Sequence, residues 1–196
     1  MRFSMQGSRR DLGNGVHSQV ANTRRVSKTH KGGKTPSWSC LVVVGDNAGK
    51  VGVAIGKARG VPDAIRKGED AAVKKMISVP LVGRTIPHHA VGKMGATTVL
   101  LKPASPGTGV VAGGAVRVVL ELAGVSDVLA KTLGSRTAVN CAYATIDALQ
   151  QLVVPEERAS IRGLTPEEVT PWLAKVREEE AQNESPSQVD SESNWQ

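Results

Sequence analysis

The pattern of apolar and polar positions predicts a small β-sheet in the first third of the chain. Residues 38–44 (WSCLVVV) and 50–55 (KVGVAI) are apolar and β-branched, and the intervening Gly45-Asp46-Asn47-Ala48-Gly49 is typical of a turn. This pattern predicts a β-hairpin. Residues 22–29 predict a strand before it, and Gly32 and Gly33 predict a wide loop between that strand and the hairpin. Pro62 then opens a helix that extends to about Ile77, because its apolar residues recur at helical spacing.

A second series of elements follows. Residues 85–93 are predicted to form an edge strand, because Pro87 has no N–H to donate to a neighbouring strand on both sides. Residues 97–101 are predicted to form its partner. Residues 115–123 predict a helix, 128–130 a short strand, and Thr137 the N-cap of a last helix. On the Arg117-Glu121 spacing of four, we expect an ion pair on the polar stripe of the first of these helices. The order is therefore ββαβα.

These elements predict an α+β protein of two small domains, a three-stranded sheet with one helix and a ββαβα domain. The predicted boundaries are 1–21 for a disordered basic arm, 22–84 and 85–154 for the domains, and 155–196 for an acidic tail. The tail has a capping-box sequence at Thr165-Pro166-Glu167-Glu168, so a short helix should begin there, and the remainder is predicted to be disordered.

Charge divides the chain at the same place. Residues 1–154 hold 21 Lys and Arg against 8 Asp and Glu, a net charge of +13, whereas residues 155–196 hold 4 against 10, a net charge of −6. A body this basic favours a polyanionic partner. Nucleic acid is favoured over a membrane surface because the sequence has no long apolar span and no basic amphipathic helix with bulky apolar anchors.

The strongest concentration of positive charge is the run between residues 24 and 34. It contains Arg24, Arg25, Lys28, Lys31 and Lys34 and no acid. A solvated charge run is the alternative for any such stretch taken alone. Held between strands, these five cations predict a surface that binds phosphate. The basic residues of the predicted helix, Arg66, Lys67, Lys74 and Lys75, read mainly as a solvated face, with RNA contact as the alternative.

Enzyme chemistry finds little support in the sequence. Residues 45–50 and 52–57 have three residues between Gly and Gly-Lys where a P-loop needs four. Gly107-Thr108-Gly109 could cradle an anion, but we favour glycines that let a helix pack close to a sheet. The adjacent His88 and His89 on a strand would point to opposite faces, and Cys40 and Cys141 lack metal or disulfide spacing. We predict no catalytic residue, no metal and no cofactor. With few aromatic residues for base stacking, recognition of RNA by shape and phosphate is the favoured function.

Ordered motifs over residues 22–152 resemble one protein family. The chain is similar to small-subunit ribosomal protein S five of the bacterial type. The motifs are Arg25-Val26-Ser27-Lys28-Thr29, Lys31-Gly32-Gly33-Lys34, Val43-Val44-Gly45-Asp46, Gly49-Lys50-Val51-Gly52, Gly56-Lys57-Ala58-Arg59, Pro103-Ala104-Ser105, Gly107-Thr108-Gly109, Ala112-Gly113-Gly114 and Ala144-Thr145-Ile146-Asp147-Ala148. Gly60 departs from the family, which usually has an acid there, and Trp38 replaces a usual Phe or Tyr.

The resemblance implies a double-stranded-RNA-binding-like N-terminal domain and a structural role in the small ribosomal subunit. It implies a place on the small-subunit rRNA between head and body, beside proteins S four and S eight and near the messenger, with an influence on translational accuracy. The loop of residues 25–34 would face the head RNA by the spectinomycin pocket. The expected location is a cytoplasmic ribosome, with an organellar ribosome as the alternative.

The resemblance and the charge together give one set of candidate residues and one rival function. The rival is a kinase-like, nucleotide-binding protein, because small-molecule kinases share the fold of the second domain. We disfavour it, since the chain lacks their serine-bearing loop and large substrate domain. The candidate RNA-binding residues are Arg24, Arg25, Ser27, Lys28, Thr29, Lys31, Gly32, Gly33, Lys34, Lys57 and Arg59.

Overall fold

A computed structural model describes residues 9–13, 15–165 and 168 of the chain. Its contacts divide the protein into two compact units, residues 1–154 and residues 155–196, and each is described by itself. Within the described residues, the helices are too short or too polar for any of them to cross a membrane.

The first sheet is antiparallel throughout and has the strand order β1-β2-β3-β4-β5. The three predicted strands are present, and the hairpin between the second and third of them is confirmed. Strand β2 begins at residue 17, so residues 17–21, assigned by the sequence to the basic arm, belong to the sheet. The two edge strands, two residues each, were not predicted. The elements are β1 (Arg10–Asp11), β2 (His17–His30), β3 (Gly33–Gly45), β4 (Lys50–Ala58), α1 (Val61–Val73) and β5 (Ile77–Ser78).

Helix α1 packs against one face of this sheet, at a distance set by glycines. A side chain at Gly56 would collide with the backbone carbonyl of Ala64, and one at Gly52 with that of Ala72. The helix can therefore lie directly on β4, and its buried alanines pack with Val42 of β3. From the sequence alone, these glycines could allow close approach of either RNA or another part of the protein. In the structure, helix α1 is the element that lies against them.

The second sheet has the order β6-β7-β9-β8, in which β8 is parallel to β9 and the other pairs are antiparallel. The α+β class is confirmed, with β8 added to the predicted ββαβα order. Thr137 is the N-cap of α3, but the expected side-chain cap is absent there, because its hydroxyl oxygen lies 3.2 Å from Ser135 Oγ instead. The elements are β6 (Ala90–Met94), β7 (Thr97–Pro103), β8 (Val110–Val111), α2 (Gly114–Leu122), β9 (Val128–Gly134) and α3 (Ala138–Gln150).

One hydrophobic core joins the two sheets. Leu41 and Val43 of β3 belong to the same buried cluster as Val99 of β7 and Leu120 of α2. The turn before β4 is tied to the end of α2, since Asn47 N donates to the carbonyl of Leu122 at 3.1 Å. Residues on the two faces of β3 thus alternate between two cores, one beneath α1 and one shared with the second sheet. The domain boundary at residues 84 and 85 stays a prediction.

In the second unit, helix α4 (Pro155–Arg162) was not predicted. Its few apolar residues give no clear stripe, which is the pattern that reveals a helix in sequence. The predicted capping box is confirmed beyond it: Thr165 N donates to Glu168 Oε2 at 2.9 Å, and Glu168 N donates to Thr165 Oγ1 at 3.4 Å. The predicted disorder of the tail falls on residues 169–196, which lie outside the described residues.

Candidate nucleic-acid interface

Residues 24–37 form a two-stranded projection that we call the basic ribbon. Strand β4 pairs with β3 only from Trp38 to Gly45, whereas β2 and β3 continue to pair with each other as far as His30 and Gly33. The predicted wide loop is therefore wrong. A two-residue turn at Lys31 and Gly32 closes the ribbon, and Gly33, with φ of 143°, supplies the left-handed geometry that glycine permits.

The ribbon presents positive charge on both of its faces. Cross-strand partners share a face, so Arg25, opposite Trp38, lies on the face that α1 covers farther along the sheet. Arg24, opposite Ser39, and Lys28, opposite Thr35, lie on the other face. Residues 24–36 are all exposed. A ribbon that is cationic on both sides can contact phosphates of two separate RNA backbone segments.

The ribbon cations keep their charge available for an external anion. In the part of the chain that the structure describes, the ion pairs are Arg84 with Asp127 and Arg117 with Glu121, the latter as predicted. Neither pair involves the ribbon, which has no acid of its own. Exposed cations without acidic partners create a positive local potential that attracts phosphate.

A concave surface, which we call the basic groove, lies between the base of the ribbon and α1. Its volume is about 1120 Å³. The ribbon contributes Ser27 and Lys28, and the segment at the end of β4 contributes Lys57 and Arg59. The groove thus unites four of the candidate residues. The other seven, Arg24, Arg25, Thr29, Lys31, Gly32, Gly33 and Lys34, belong to the ribbon but not to the lining of the groove.

Helix α1 adds two cations for which the sequence predicts mainly a solvated face. Arg66 and Lys67 line the groove together with Asp63 and Asp70. The helix is fixed in place by Gly68, where a side chain would collide with Val42. The signal that could have found these residues is their spacing, because positions 63, 66, 67 and 70 form one stripe of a helix.

Gly107 and Gly109 do not form an anion cradle. Helix α2 begins later, at Gly114, and the amide of Gly109 donates to Asp127 Oδ1 at 2.8 Å. The favoured interpretation, that they allow close helix packing, is also wrong: among the described residues, no atom lies within 4 Å of a side chain built at either position. Both have a positive φ, of 83° and 74°, and this backbone geometry accounts for glycine there.

The histidine and cysteine positions show structural contacts. His88 lies before β6, where its Nε2 accepts from Val153 N at 3.1 Å and its Nδ1 lies 2.7 Å from the carbonyl oxygen of His89. A neutral ring with its proton on Nδ1 satisfies both contacts. Cys40 and Cys141 are separate, buried thiols, and burial raises the pKa of each. Across the described residues, no three His, Cys, Asp or Glu side chains are grouped to hold a metal ion.

Comparison with known proteins identifies two matching family models. "Ribosomal protein S5, N-terminal domain" matches residues 16–80, and "Ribosomal protein S5, C-terminal domain" matches residues 92–162. The chain is 56% identical over 158 residues to the small ribosomal subunit protein uS5 of Bifidobacterium adolescentis, covering 81% of this chain and 66% of that protein. It is 57% identical over 159 residues to the uS5 of Bifidobacterium longum, covering 81% of this chain and 68% of the relative. The chain thus spans about two thirds of the length of these relatives.

Proposed function

Because the chain belongs to the ribosomal protein S5 family, we propose that it is a structural component of the small ribosomal subunit that binds small-subunit rRNA. The observation that carries this proposal is the basic ribbon, which holds five cations and no acid and has no internal ion pair among the described residues. At its base it continues into the basic groove. Together they form one surface suited to several phosphates.

Recognition on this surface depends on backbone phosphate and RNA shape. The ribbon itself carries no Phe, Tyr or Trp for stacking on bases, and Trp38, where it joins the sheet, is half-buried against the core beneath α1. Lys57, Arg59 and Arg66 all line the groove, so an RNA strand can pass from the ribbon to the helix along cationic residues. Phosphate contacts fix position and register, while sequence is read elsewhere.

The site on the subunit follows from the family resemblance. We place the ribbon between head and body, near the messenger entry and the decoding region, in a cytoplasmic ribosome. Its contact with the head RNA would link the chain to translational accuracy and to the spectinomycin pocket. No cofactor enters this function.

Protein neighbours, which the resemblance names as S four and S eight, need an apolar surface. The outer face of the second sheet carries exposed apolar side chains among its lysines: Val91, Leu129 and Leu133 are 38%, 42% and 51% exposed, and Lys131 lies on the same face. By strand alternation they lie on the side away from the buried Val99 and Leu101. Exposed apolar side chains in such a group are typical of a protein-binding surface.

The experiment that tests the function is sedimentation of the endogenous protein. A cell lysate is separated on a sucrose gradient, and the chain is followed with an antibody. We expect it to migrate with the small ribosomal subunit and with intact ribosomes at low salt. Recovery of the protein only in the free fractions at the top of the gradient would refute the proposed function.

A further inference from the structure

The outer side of strand β2 has no partner strand along most of its length. Strand β1 pairs with β2 only at His17 and Ser18, whereas β3 covers the other side of β2 as far as His30. Among the described residues, no further strand pairs with the outer side of β2. We call this side, from residue 19 to residue 30, the free edge. Such an edge presents backbone N–H and C=O groups that another extended segment can pair with.

The backbone groups that point out of the free edge follow from the turn of the ribbon. A two-residue turn makes His30 and Gly33 a hydrogen-bonded pair, and such pairs alternate with non-hydrogen-bonded pairs along an antiparallel ladder. Arg25 and Ser27 therefore occupy non-hydrogen-bonded pairs with β3. Their N–H and C=O groups point outward, which gives the free edge donors and acceptors at alternate residues.

The opposite edge of the ribbon is closed to a further strand. There β3 extends past the end of its pairing with β4, and Pro36 stands opposite Ser27. Because this pair is not hydrogen-bonded, the nitrogen of Pro36 faces out of the β3 edge, where it has no proton to donate. The free edge of β2 contains no proline. Of the two edges of the ribbon, the β2 edge is thus the one that can accept a strand.

Strand β1 directs a segment of this same chain toward the free edge. It is antiparallel to β2, so a continuation of β1 toward the N-terminus would run along β2 in the direction of the ribbon. Residues 2–8 lie outside the described residues, and their sequence is RFSMQGS. Polar residues occupy the even positions, Phe3 and Met5 occupy odd ones, and proline and acids are absent. This alternation is typical of a strand with two different faces.

A bulge in β2 determines the register that such a strand must take. The pairing of β2 with β3 shifts between Val20 and Asn22, which leaves Ala21 as an extra residue. Val20 packs in the core beneath α1, whereas Ala21 packs in the core shared with the second sheet. Because the bulge belongs to β2, a strand on the free edge must pass it as well. Beyond the bulge, its pairing is therefore shifted by one residue from that of β1.

In this register the side chains of the two segments complement each other. Counting on from β1 across the bulge puts Phe3 opposite Val26, whose side chain is 41% exposed. Cross-strand apolar pairs of this kind stabilise a sheet. The next residue, Arg2, then stands opposite Ser27, which lines the basic groove. The added strand would thus cover an exposed apolar side chain and bring one more cation to the groove.

We propose that residues 2–8 pair with the free edge of β2 and form a third strand of the basic ribbon. A two-stranded hairpin is marginally stable by itself in water, and a third strand strengthens it. The chain's own segment is the occupant because the β1 hairpin tethers it beside the edge, which gives it a high effective concentration there. The inference concerns the protein without RNA, so its failure would leave the proposed function in place.

The first test is a designed disulfide in the full-length chain. Phe3→Cys with Val26→Cys joins a non-hydrogen-bonded pair, in which the Cα atoms are about 4.5 Å apart, a separation that a disulfide spans. Phe3→Cys with Arg25→Cys is one control, because residue 25 points to the opposite face. Phe3→Cys with Ser37→Cys is the second control, because residue 37 is on the same face but one strand farther away, at about 10 Å. Each protein is equilibrated in a glutathione buffer, and mass spectrometry of its peptides gives the effective concentration of the two thiols.

The three effective concentrations decide the inference. We expect the 3–26 value to exceed both controls by about tenfold or more, because a paired strand holds these two positions together. Values within about threefold of one another would show that residues 2–8 have no fixed register, and would overturn the inference. Disulfide-linked dimers in place of the internal 3–26 bond would assign the edge to a second copy and overturn it as well. The buried Cys40 and Cys141 are retained in all three proteins.

The second test is amide hydrogen exchange, with the Val26 amide, which pairs with Ser37, as the internal reference. The Arg25 amide points out of the free edge, so the added strand is what would protect it. In the proposed register Ser4→Pro removes the N–H that pairs with Arg25, whereas Met5→Pro alters an N–H that faces away from β2. We expect Arg25 to exchange about tenfold or more faster in Ser4→Pro than in wild type or Met5→Pro. Equal rates in all three proteins would contradict the third strand.

Discussion

Ser18 Oγ donates a hydrogen bond of 2.8 Å to Glu69 Oε1, and both residues are buried. Ser18 lies on β2, which continues into the basic ribbon, and Glu69 lies on α1, which forms the wall of the groove. This bond therefore ties together the two elements whose relative position defines the candidate interface. A buried carboxylate without such a donor is costly.

We predict that Ser18→Ala destabilises the protein by about 1–3 kcal/mol, because it leaves a carboxylate oxygen buried without its partner. The measurement is urea unfolding followed by circular dichroism. Ser27→Ala is the matched control, since that hydroxyl lies on the exposed ribbon, and its effect should stay within about 0.5 kcal/mol. Equal effects of the two substitutions would show that the buried bond contributes little.

The sequence predicts long, patterned elements well and short ones poorly. The run at Val42 and its neighbours marks β3 because continuous apolar, β-branched residues are typical of a strand buried on both faces. The strands Arg10–Asp11, Ile77–Ser78 and Val110–Val111 have two residues each, too few for any period. The sequence predicts the first strand of the ribbon but a wide loop in place of its second strand, because the polar residues 33–37 show no apolar alternation. Its pairing simply continues the register set by the buried part of β2 and β3.

The conformation of Gly33 gives a prediction for the tip of the ribbon. An L residue at φ of 143° is strained, by about 1–3 kcal/mol, whereas Gly32 has no positive φ. Both positions are open, so Gly33→Asp and Gly32→Asp add the same charge in free space. We expect both variants to fold and to bind rRNA more weakly, and Gly33→Asp to lose more because it also distorts the turn. A filter-binding titration at fixed salt measures this.

The proposed contact with the head RNA extends that prediction to the ribosome. Subunits that contain Gly33→Asp in normal amount should bind spectinomycin with altered affinity. Wild-type affinity in such subunits would contradict the assignment of residues 25–34 to the head RNA.

The groove gives a prediction for helix α1. Replacing Arg66 and Lys67 by Gln should lower the salt slope of rRNA binding by about one to two units, because both residues line the groove with the ribbon base. Replacing Lys74 and Lys75 by Gln removes the same charge from the end of α1, outside the groove. The salt slope of rRNA binding by this second variant should match that of wild type. A larger loss from the second pair would move the RNA path to the far end of the helix.

The capping box gives a prediction about pH. Hydrogen bonds from Thr165, the backbone bond first and the side-chain bond second, hold the pKa of Glu168 below its usual value of 4.5. A lowered pKa means that the ionised form stabilises this turn above pH 4.5 and that the contribution disappears as pH falls through the folded pKa. An NMR titration of the Glu168 side chain should show a midpoint below 4.5 that rises in Thr165→Ala. An unchanged midpoint would mean that the side-chain bond does not form in solution.

The sequence reveals the part of the candidate site whose charges are close together along the chain. Charge along the chain revealed Lys28 and Lys31 because they are close in sequence and no acid intervenes. The inclusion of Arg66 depends on how α1 lies across β3 and β4, which is set by the glycines beneath the helix. A run of charge is visible in one dimension, whereas a groove built by three elements appears only once they are packed.

The most direct test of the account is the salt dependence of rRNA binding after neutralisation of the ribbon. Replacing Arg25, Lys28 and Lys31 by Gln removes three exposed cations that lie outside every ion pair of the described residues. Each phosphate contact contributes about 0.7–0.9 to the log-log salt slope, so the slope should fall by about two to three units. The unfolding midpoint should be unchanged. A slope equal to that of wild type would contradict the central claim and place the RNA surface elsewhere on the protein.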